Sequence, residues 1–488
     1  MFNLINLIMR YFIYILFVKV LCGIDYSTNI SPIIYNNCTN CHRSGQIASF
    51  LPLTNYNQVH DSRYWILDAI SGQQNQRHGD PIMPPWPADR EYSTLLDEMY
   101  LTESQINIFN EWIDTGAIQG DLNQESPMPE FLEGSNIGVP DMVFEMESPY
   151  SLIGNYQDDY RCFIIDLGDN DEIDLAALEF MPGNLEAVHH AILVAVPDGS
   201  ADDLDQQDPG YGYECFGDFG TNNISDFLGG YAPGTFTRKW PEGMAQNIPE
   251  NSDLILQIHY APLYDDAIDQ SYVNIFEKDE AVDRYINEHI MTNFSFQLPP
   301  NQITEVSESW YIGTDISLIQ FLPHSHLLGK SWEIFAIPPN SNDTINIIRI
   351  NDWDFDWQFW YSPHYMIHLE AGTVVHAKCL YDNTSDNPNN PNSPPQWVHW
   401  GDATTDEMFF VPFRYVEYQP GDEYIYLGDE ENLIIGDLND DGIVNILDII
   451  SLANAVLSQD NQNSSFDING DSYINVLDII SLLNIIFS

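Results

Sequence analysis

Short apolar runs separated by turn residues fill the middle of the chain, from about residue 135 to 428. The runs RCFIIDL, HHAILVAV, DLILQIHYAP, SLIQFLPHSH and SWEIFAI are rich in β-branched and aromatic residues, with Gly, Pro, Asn and Asp between them. This pattern is typical of all-β structure. Because about 290 residues exceed one comfortable sandwich, we predict two jelly-roll sandwiches, at residues 135–285 and 286–428. The polar stretch 382–396, DNTSDNPNNPNSPPQ, is predicted to be an irregular loop.

The preceding segment, residues 24–124, has helical periodicity. In LTESQINIFNEWIDTGA, the apolar side chains that share one helical face are Ile106, Phe109, Trp112 and Ile113. Thr102 is placed to cap the amino end of this helix, and Gly116 is placed to end it. We therefore predict that the first module is all-α.

The chain is strongly acidic. Of its 488 residues, 15 are Lys or Arg and 74 are Asp or Glu, which gives a formal charge of −59. Such a charge repels both the phosphate backbone of nucleic acids and anionic lipid surfaces. We therefore predict that no nucleic acid is a partner. The hydrophobic content of 44% is that of a packed globular protein and not of a disordered one.

The amino terminus, MFNLINLIMRYFIYILFVKVLCG, is apolar apart from Arg10 and Lys19 and leads directly into polar sequence. This pattern predicts an export signal at residues 1–23. An uncleaved membrane anchor is the alternative, because the apolar run is long and Leu21 suits a cleavage site poorly. The same leucine disfavours lipidation of Cys22. We expect an exported protein, located in the periplasm, at the cell surface or outside the cell.

The pentapeptide CTNCH follows this start, at residues 38–42. Cys38 and Cys41 would form thioethers with the vinyl groups of a haem, and His42 would supply one axial nitrogen to its iron. A CxxC pair also occurs in redox and zinc sites, so the pattern alone has moderate specificity. Export raises the case for haem attachment.

The stretch IMPPWPAD offers Met83 as a thioether ligand on the other side of the iron. Met99 or His78 could take that place instead, and Met83 could be a core residue. Together with the tryptophan and Gly-Ala at the end of the last helix, these features resemble a small class I cytochrome c domain of exported bacterial multidomain proteins. The resemblance implies haem c within residues 24–124, and a Met/His ligand pair favours electron transfer over oxygen binding.

Five of the 13 histidines fall in three short contexts. In HSH, a serine separates His324 from His326, so on a regular strand both rings point to one face and could chelate one metal. In HH, His189 and His190 point to opposite faces of a regular strand and could share an ion only at a strand end or a bulge. His259, in LILQIHYAP, taken alone suits a buried structural histidine.

The order HHAIL, LQIHY, HSHLLG and DEM resembles the copper type II, ascorbate-dependent monooxygenases, the family of peptidylglycine and dopamine hydroxylating enzymes. The resemblance implies two coppers. The ligands of the electron-transfer copper would be His189, His190 and His259. The ligands of the oxygen-activating copper, which would also be the catalytic residues, would be His324, His326 and Met408. Thioether with imidazole suits Cu(I), whereas zinc prefers nitrogen or thiolate ligands.

Further positions match this family or depart from it. Cys162 and Cys215 match a family disulfide, which export permits, and two free buried thiols are the alternative. Cys379 matches a cysteine whose usual partner follows the methionine ligand. Because Phe409 occupies that place, we expect Cys379 to be an unpaired thiol.

Three polar residues hold the substrate carboxylate in the peptide-hydroxylating members. Here Leu322, Phe410 and Pro412 replace them. Because apolar groups cannot anchor a carboxylate, we expect a substrate less polar than a peptide C-terminus.

These resemblances imply an exported monooxygenase that hydroxylates a C–H bond of an organic small molecule with O2. Because one oxygen atom goes to the substrate and one to water, the reaction needs two electrons and two protons. A haem in the same chain could relay electrons from an external reductant at high effective concentration. The alternatives are a non-catalytic haem and copper electron-transfer or copper-binding protein, and an adhesion or scaffold component whose β modules bind a ligand.

The end of the chain, residues 433–488, repeats one unit: GDLNDDGIVNILDIISLANAVL and FDINGDSYINVLDIISLLNIIF. Oxygen donors occupy the ligand positions of a twelve-residue calcium loop in both copies. They are Asp437, Asn439, Asp441, Asn445 and Asp448 in the first copy, and Asp467, Asn469, Asp471, Asn475 and Asp478 in the second. The turn position holds Gly442 in the first copy and Ser472 in the second. We predict two calcium ions.

Each loop leads into an apolar LDIISL helix, and the pair resembles a type I dockerin module. The resemblance implies attachment to a surface or scaffold through a cohesin. A calcium-stabilised cap on the same chain is the alternative. The predicted fold class is therefore an all-α cytochrome c domain, two all-β jelly-roll sandwiches and a small α-helical calcium-binding dockerin.

Overall fold

A computed structural model describes most of the chain between residues 23 and 486. The described residues are 23–71, 83–131, 134–155, 157–168, 170–216, 218–341, 343–428, 436, 438, 444, 446–458, 466, 468 and 473–486. The export signal predicted at residues 1–23 lies outside them, apart from Gly23. Among the described residues, no helix combines the length and apolar character that crossing a bilayer requires.

The chain divides into two compact units. The first comprises Met1–Trp86 and Met99–Phe131, and the second comprises Pro87–Glu98 and Leu132–Ser488. The segment Pro87–Glu98 belongs to the second unit because Ala88 bridges to Ile350 and Leu95 bridges to Pro363. The bounds of the five segments drawn from the sequence stay a prediction.

Three described α-helices lie in the first unit: α1 (Ser31–Asn37), α2 (Tyr56–Ser71) and α3 (Glu103–Asp114). Helix α3 begins as predicted. The Thr102 hydroxyl accepts the Gln105 N–H, and the Gln105 side chain accepts the Thr102 N–H, which forms a capping box. Phe109 and Trp112 on its inner face are fully buried. Gly116, just beyond its end, adopts a φ of 103°, as a helix-terminating glycine does.

The prediction of an all-α cytochrome c domain is wrong. The described helices of the first unit are few and short, and residues 38–55 and 115–131 between and after them form turns, a single 3₁₀ turn and irregular segments. Helical periodicity depends on residues that are close in sequence. It therefore predicted α3 correctly but did not predict the structure of the rest of the first unit. Gly, Pro, Asn and Ser interrupt the apolar pattern elsewhere.

The second unit is mostly β. Its described strands are β1 (Met142–Glu145), β2 (Tyr150–Leu152), β3 (Asp159–Asp166), β4 (Ile173–Met181), β5 (Val188–Pro197), β6 (Tyr213–Glu214), β7 (Asp226–Tyr231), β8 (Met244–Ile248), β9 (Ser252–Tyr260), β10 (Ala267–Asp269), β11 (Tyr272–Glu277), β12 (Arg284–Tyr285), β13 (Asn287–Thr292), β14 (Gln297–Leu298), β15 (Gln302–Tyr311), β16 (Ile316–Phe321), β17 (Gly329–Ile337), β18 (Ile345–Ile350), β19 (Ile367–Leu369), β20 (Val374–Asn383), β21 (Val398–His399) and β22 (Phe410–Glu417). One short helix, α4 (Asp202–Gln207), lies between β5 and β6.

These strands form four larger sheets. Sheet 1 has the order β1-β11-β4-β8-β12, sheet 2 β6-β3-β9-β5-β7, sheet 3 β13-β22-β16-β19 and sheet 4 β15-β20-β17-β18. Two-stranded pairs, β10-β2 and β14-β21, accompany them. The irregular loop predicted from residue 382 begins after β20 ends at Asn383.

Sheets 1 and 2 share one hydrophobic core. Leu175 and Ile275 from sheet 1 are buried in the same cluster as Phe163, Leu193 and Leu256 from sheet 2. Strand β9 lies at the centre of sheet 2, and all nine of its residues are buried. A side chain on β9 is therefore held in a fixed position from both sides of the strand.

The predicted jelly-roll topology is also wrong. A jelly roll has eight antiparallel strands in two Greek keys. The described strands instead form four sheets of four or five strands and two small pairs, and β12 pairs with β8 in parallel. Apolar runs between turn residues locate strands. They do not reveal the partner of each strand, because pairing depends on contacts that are distant in sequence.

Two further helices lie near the carboxyl end: α5 (Ile446–Ser458) and α6 (Val476–Ile486). They occupy equivalent places in the two copies of the repeat. Leu452 on α5 and Leu482 on α6 are fully buried. The apolar LDIISL segments are therefore helical, as the repeat predicts.

Candidate metal centres

Three imidazoles converge between β5 and β9. His189, His190 and His259, here called the first histidine cluster, offer ring nitrogens that all lie within 4.8 Å of one another. The Nδ1 atoms of His189 and His190 are 3.2 Å apart, and those of His190 and His259 are 3.4 Å apart. Nitrogen lone pairs that face one point repel each other unless a proton or a cation lies between them. The donor set therefore fits a metal ion that accepts imidazole nitrogen.

A β-bulge lets two consecutive histidines face one site. In the β5–β9 ladder, Val188 pairs with Tyr260 and His190 pairs with His259, so His189 is an extra residue on β5. Neighbouring side chains on a regular strand point to opposite faces, and a bulge changes the direction of one of them. The sequence analysis required a strand end or a bulge at this place, and the structure has the bulge.

Burial keeps the imidazoles of His189 and His190 neutral. It lowers the pKa of His189 to about 3 and the pKa of His190 well below its usual range, and neighbouring imidazoles add to both shifts. Only the neutral form of the ring coordinates a metal. At neutral pH both rings are therefore in the metal-binding form.

Two residues that the sequence analysis missed hold His259. Oδ1 of Asp158 lies 2.7 Å from Nε2 of His259, so the carboxylate accepts that N–H and leaves the Nδ1 lone pair facing the cluster. The ring of Tyr160 stacks on His259 with centroids 4.1 Å apart. Nothing in the sequence separates Asp158 from the many other acidic residues. Only the pairing of β3 with β9, which sets Tyr160 opposite His259, brings it there.

His324 and His326, here called the second histidine cluster, lie between β16 and β17, just before a turn at residues 327 and 328. Strand β16 ends at Phe321, and His324 forms an isolated bridge with Phe410. The two imidazole centroids are 5.2 Å apart, and the ring planes are nearly perpendicular, at 85°. HSH therefore lies outside a regular strand apart from this bridge, and its two rings still lie close together.

Hydrogen bonds select the ring nitrogens that remain for a metal in the second cluster. Nδ1 of His324 lies 2.5 Å from Oε1 of Gln358, and Nδ1 of His326 lies 3.2 Å from the carbonyl oxygen of Asp406. Both partners accept an N–H, so each Nε2 keeps its lone pair. Burial lowers the pKa of His324 to about 4 and that of His326 to about 3. The sequence carried no signal for Gln358.

A buried carboxyl group holds Met408 beside the HSH segment. Met408 lies two residues before Phe410, the bridge partner of His324. Glu407 is fully buried, and its Oε2 accepts the N–H of His326 at 2.8 Å and the N–H of Met408 at 3.2 Å. One side chain thus fixes the backbone of both the HSH segment and the methionine. The motif DEM by itself gave no role to this glutamate.

An aromatic ring lies next to the second cluster. The ring of Phe410 meets the ring of His324 edge-on, with centroids 6.3 Å apart. The N–H of Leu322 donates to the carbonyl of Pro412 at 3.2 Å, so these two residues are joined through their backbones. Of the three residues that replace the carboxylate-binding groups, Phe410 thus contacts a histidine of the cluster.

The cysteines of the second unit behave as expected. Cys162 on β3 and Cys215 form a disulfide, which confirms that pairing. Cys379 on β20 is a free and fully buried thiol.

CTNCH lies in the turns after α1. Nδ1 of His42 lies 2.8 Å from the carbonyl oxygen of Leu51, which accepts its N–H and leaves Nε2 as a lone-pair donor. Cys38 and Cys41 are both free thiols. Two free thiols beside an imidazole with its Nε2 lone pair available fit covalent haem attachment.

Met83 and His78 are both candidates for the ligand on the other side of the iron, and the structure describes only Met83 of these two. Met83 packs against the same buried cluster as Cys38. This position is compatible both with a ligand and with a core residue. His78 lies outside the described residues.

Only three of the predicted calcium ligands are described. Those outside the described residues are Asp437, Asn439, Asp441, Asn445, Asp467, Asn469 and Asp471. Asp448 and Asp478 are fully buried. Asp448 accepts the N–H of Leu438 at 2.7 Å, and Asp478 accepts the N–H of Asn475 at 2.8 Å. The last carboxylate of each loop therefore turns back from the helix start toward its own loop.

Comparison with known families assigns the carboxyl-terminal part of the chain. Residues 435–486 match the family described as dockerin type I domain. These residues form a type I dockerin domain. Dockerin domains bind calcium, so the match supports calcium as the cofactor of the repeat. Dockerin-bearing proteins are typically secreted or located at the cell surface. The match does not reach the histidine clusters or CTNCH, whose copper and haem assignments stay predictions.

The other comparisons add little. No curated protein matches the chain. Among solved structures, the major capsid protein P2 from bacteriophage PM2 is similar over 58% of this chain and 99% of that chain, at 6% identity and a TM-score of 0.23. PNGF-II is similar over 56% of this chain and 65% of that chain, at 10% identity and a TM-score of 0.24. The VP2 subviral particle of infectious bursal disease virus is similar over 58% and 75%, at 11% identity and a TM-score of 0.17. TM-scores of this size support no conclusion about fold or function.

Proposed function

We propose that this protein is an exported copper-dependent monooxygenase that hydroxylates a C–H bond of an organic small molecule with O2. The convergence of three Nδ1 atoms in the first histidine cluster is the observation that carries the proposal. A second cluster, with two Nε2 lone pairs and a methionine nearby, stands in the same unit. The resemblance of the histidine motifs to copper type II monooxygenases supports the same reaction.

The first histidine cluster would hold one copper, and the second cluster with Met408 would hold the other. Bound copper supplies one-electron redox chemistry and reaction with O2. The chain's own side chains set the geometry. Asp158 and Gln358 fix the orientation of the rings that they contact, which leaves Nδ1 of His259 and Nε2 of His324 available to a metal.

The apolar residues near the second cluster point to the class of substrate. Leu322, Phe410 and Pro412 offer no side-chain donor to a carboxylate, and the Phe410 ring contacts the His324 ring. A small apolar molecule would lie against this ring without losing hydrogen bonds. A peptide C-terminus would leave its charge unpaired.

Electrons would reach the copper sites from an external reductant through a haem c. Cys38 and Cys41 would bind the haem covalently, His42 would ligate its iron through Nε2, and Met83 would be the second axial ligand. A haem in the same chain replaces a diffusional encounter with an intramolecular one, which raises its effective concentration.

The dockerin domain would attach the protein, through a cohesin, to a surface or scaffold outside the cytoplasm. Two calcium ions would order its loops. In this arrangement the oxidative unit is anchored by its carboxyl end and acts on molecules outside the cell.

Metal analysis and oxygen uptake test the proposal. The full chain, produced with haem and copper, should contain two coppers and one haem and should consume O2 with small hydrophobic compounds and a chemical reductant. Met408→Ile should abolish hydroxylation while its haem content stays normal, because isoleucine lacks the thioether. The matched control is Met291→Ile on β13, a buried methionine that belongs to neither cluster. Two bound coppers without any oxidised product would instead show a non-catalytic copper protein.

A further inference from the structure

The ring of Phe355 lies between the two histidine clusters. Phe355 belongs to the segment that connects β18 with β19. Its ring stacks on His189 of the first cluster, with centroids 5.2 Å apart and planes at 23°. It also meets His326 of the second cluster edge-on, with centroids 5.9 Å apart and planes at 87°. One side chain thus contacts a predicted metal ligand in each cluster.

The backbone around Phe355 is fastened to the second cluster. Nε2 of Gln358 donates to the carbonyl of Phe355 at 2.7 Å, while Oε1 of the same side chain accepts from His324. The N–H of Asp356 donates to the carboxylate of Asp354 at 3.0 Å, which closes the turn locally. The position of the ring is therefore set by the same amide that orients His324.

We propose that Phe355 is a positioning residue that fixes the separation of the two histidine clusters. The inference rests on the proposed function, because the separation matters only if both clusters hold a metal. The stacked face holds the His189 ring, and the ring edge holds the His326 ring. A smaller side chain would leave both imidazoles without this contact.

Copper binding and electron paramagnetic resonance test this role without turnover. Two Cu(II) ions held at a fixed short distance broaden each other's signals through their dipolar interaction. The variants are Phe355→Ala, which removes the ring, and Phe355→Tyr, which keeps it. Tyr311→Ala is the control, because Tyr311 on β15 is 66% exposed and shares no described ring contact with either cluster.

Wild type, Phe355→Tyr and Tyr311→Ala should bind two Cu(II) ions and give the same dipolar broadening. Phe355→Ala should lose most of the broadening and bind copper about 10-fold more weakly, the low end of the loss seen when a ligand's supporting contact is removed. If Phe355→Ala folds poorly, Phe355→Leu decides the matter, since leucine keeps the apolar bulk without the aromatic face and should also lose the broadening.

A wild-type spectrum and wild-type affinity in both Phe355→Ala and Phe355→Leu would overturn the inference while leaving the proposed function standing. Failure of the wild-type protein itself to bind two coppers would overturn the proposed function, and this inference with it. The two failures are thus distinguished by the wild-type sample alone.

Discussion

The two histidine clusters present imidazole nitrogens in opposite ways. The first stands on paired strands of sheet 2 and faces its site with Nδ1 atoms, whereas the second lies beyond the end of β16 and keeps its Nε2 atoms free. On β5 and β9 the ladder fixes the backbone, and a bulge aims His189. Beyond β16 the backbone is held by the single bridge of His324 to Phe410 and by the buried Glu407, which accepts the His326 N–H. The ligands on strands thus depend on a local irregularity, and those outside a strand depend on a side-chain anchor.

Removing His190, the central ligand of the first cluster, should have the largest effect on the difference between the two clusters. His190→Ala should lower the copper content from two ions to one per chain. It should weaken the copper affinity of the first cluster by more than about 100-fold, because removing a ligand costs more affinity than the roughly 10–100-fold lost when a residue that supports a ligand is removed. The second cluster should keep its copper. Elemental analysis and a competition titration measure both quantities. His368→Ala is the control, because His368 on β19 stacks on Tyr418 and belongs to neither cluster. Loss of both coppers would show that the clusters are not independent.

The cysteines give a second contrast between the two regions. Replacing Cys162 and Cys215 together by alanine should lower the free energy of unfolding by about 3–4 kcal/mol, because the disulfide closes a loop with a sequence separation of 53. Cys379→Ala, near the second cluster, should cost only about 1 kcal/mol, the cost of a small buried side chain. Urea unfolding of metal-free protein compares the variants. Equal losses would mean that the disulfide adds no constraint of its own.

The residues that support the ligands should act only on their own cluster. Asp158→Asn should weaken copper at the first cluster by about 10–100-fold, because the amide no longer holds His259 with a charge-assisted hydrogen bond. Gln358→Leu should do the same at the second cluster, where it releases His324. Copper titrations of Asp158→Asn in the His324→Ala background and of Gln358→Leu in the His190→Ala background measure each cluster separately. An Asp158→Asn variant that weakened only the second cluster would contradict this assignment.

The smallest expected effect is a pH dependence at the first cluster. The hydrogen bond with His259 lowers the pKa of Asp158 below its usual range. A carboxyl whose pKa is lower in the folded state adds stability that is present above its unfolded pKa, about 3.9, and is lost as pH falls through the folded pKa. The free energy of unfolding of metal-free wild type should therefore fall more steeply below about pH 4 than that of Asp158→Asn. Urea unfolding at several pH values between 3 and 6 checks this, and parallel curves would refute it.

The sequence predicted some features because their causes are local. Thr102 and Gln105 lie three residues apart, so a capping box is readable without knowing the rest of the chain. The repeat at the carboxyl end carries its oxygen donors in one twelve-residue pattern, and the dockerin match follows from it. The disulfide partners Cys162 and Cys215 were named from a family resemblance, and the structure pairs them.

Other features were wrong or missed because their causes are distant in sequence. The predicted fold class was wrong because the runs of apolar residues show where strands lie but not how they pair. Asp158 reaches His259 through the pairing of β3 with β9, across 101 residues of sequence. Phe355 meets His189 from a connecting segment far along the chain. None of these contacts can be predicted from the residues next to either partner.

The sequence by itself determined which side chains are available for chemistry: paired histidines, a CxxC with histidine, and two acidic loops before apolar helices. The tertiary structure alone decided which of their nitrogens face a common point and what separates the two groups. The physical reason is the distance along the sequence over which each interaction acts. Capping, periodicity and loop spacing depend on neighbours within one or two turns, whereas the bulge at His189, the anchor at Glu407 and the ring at Phe355 exist only once distant strands have paired.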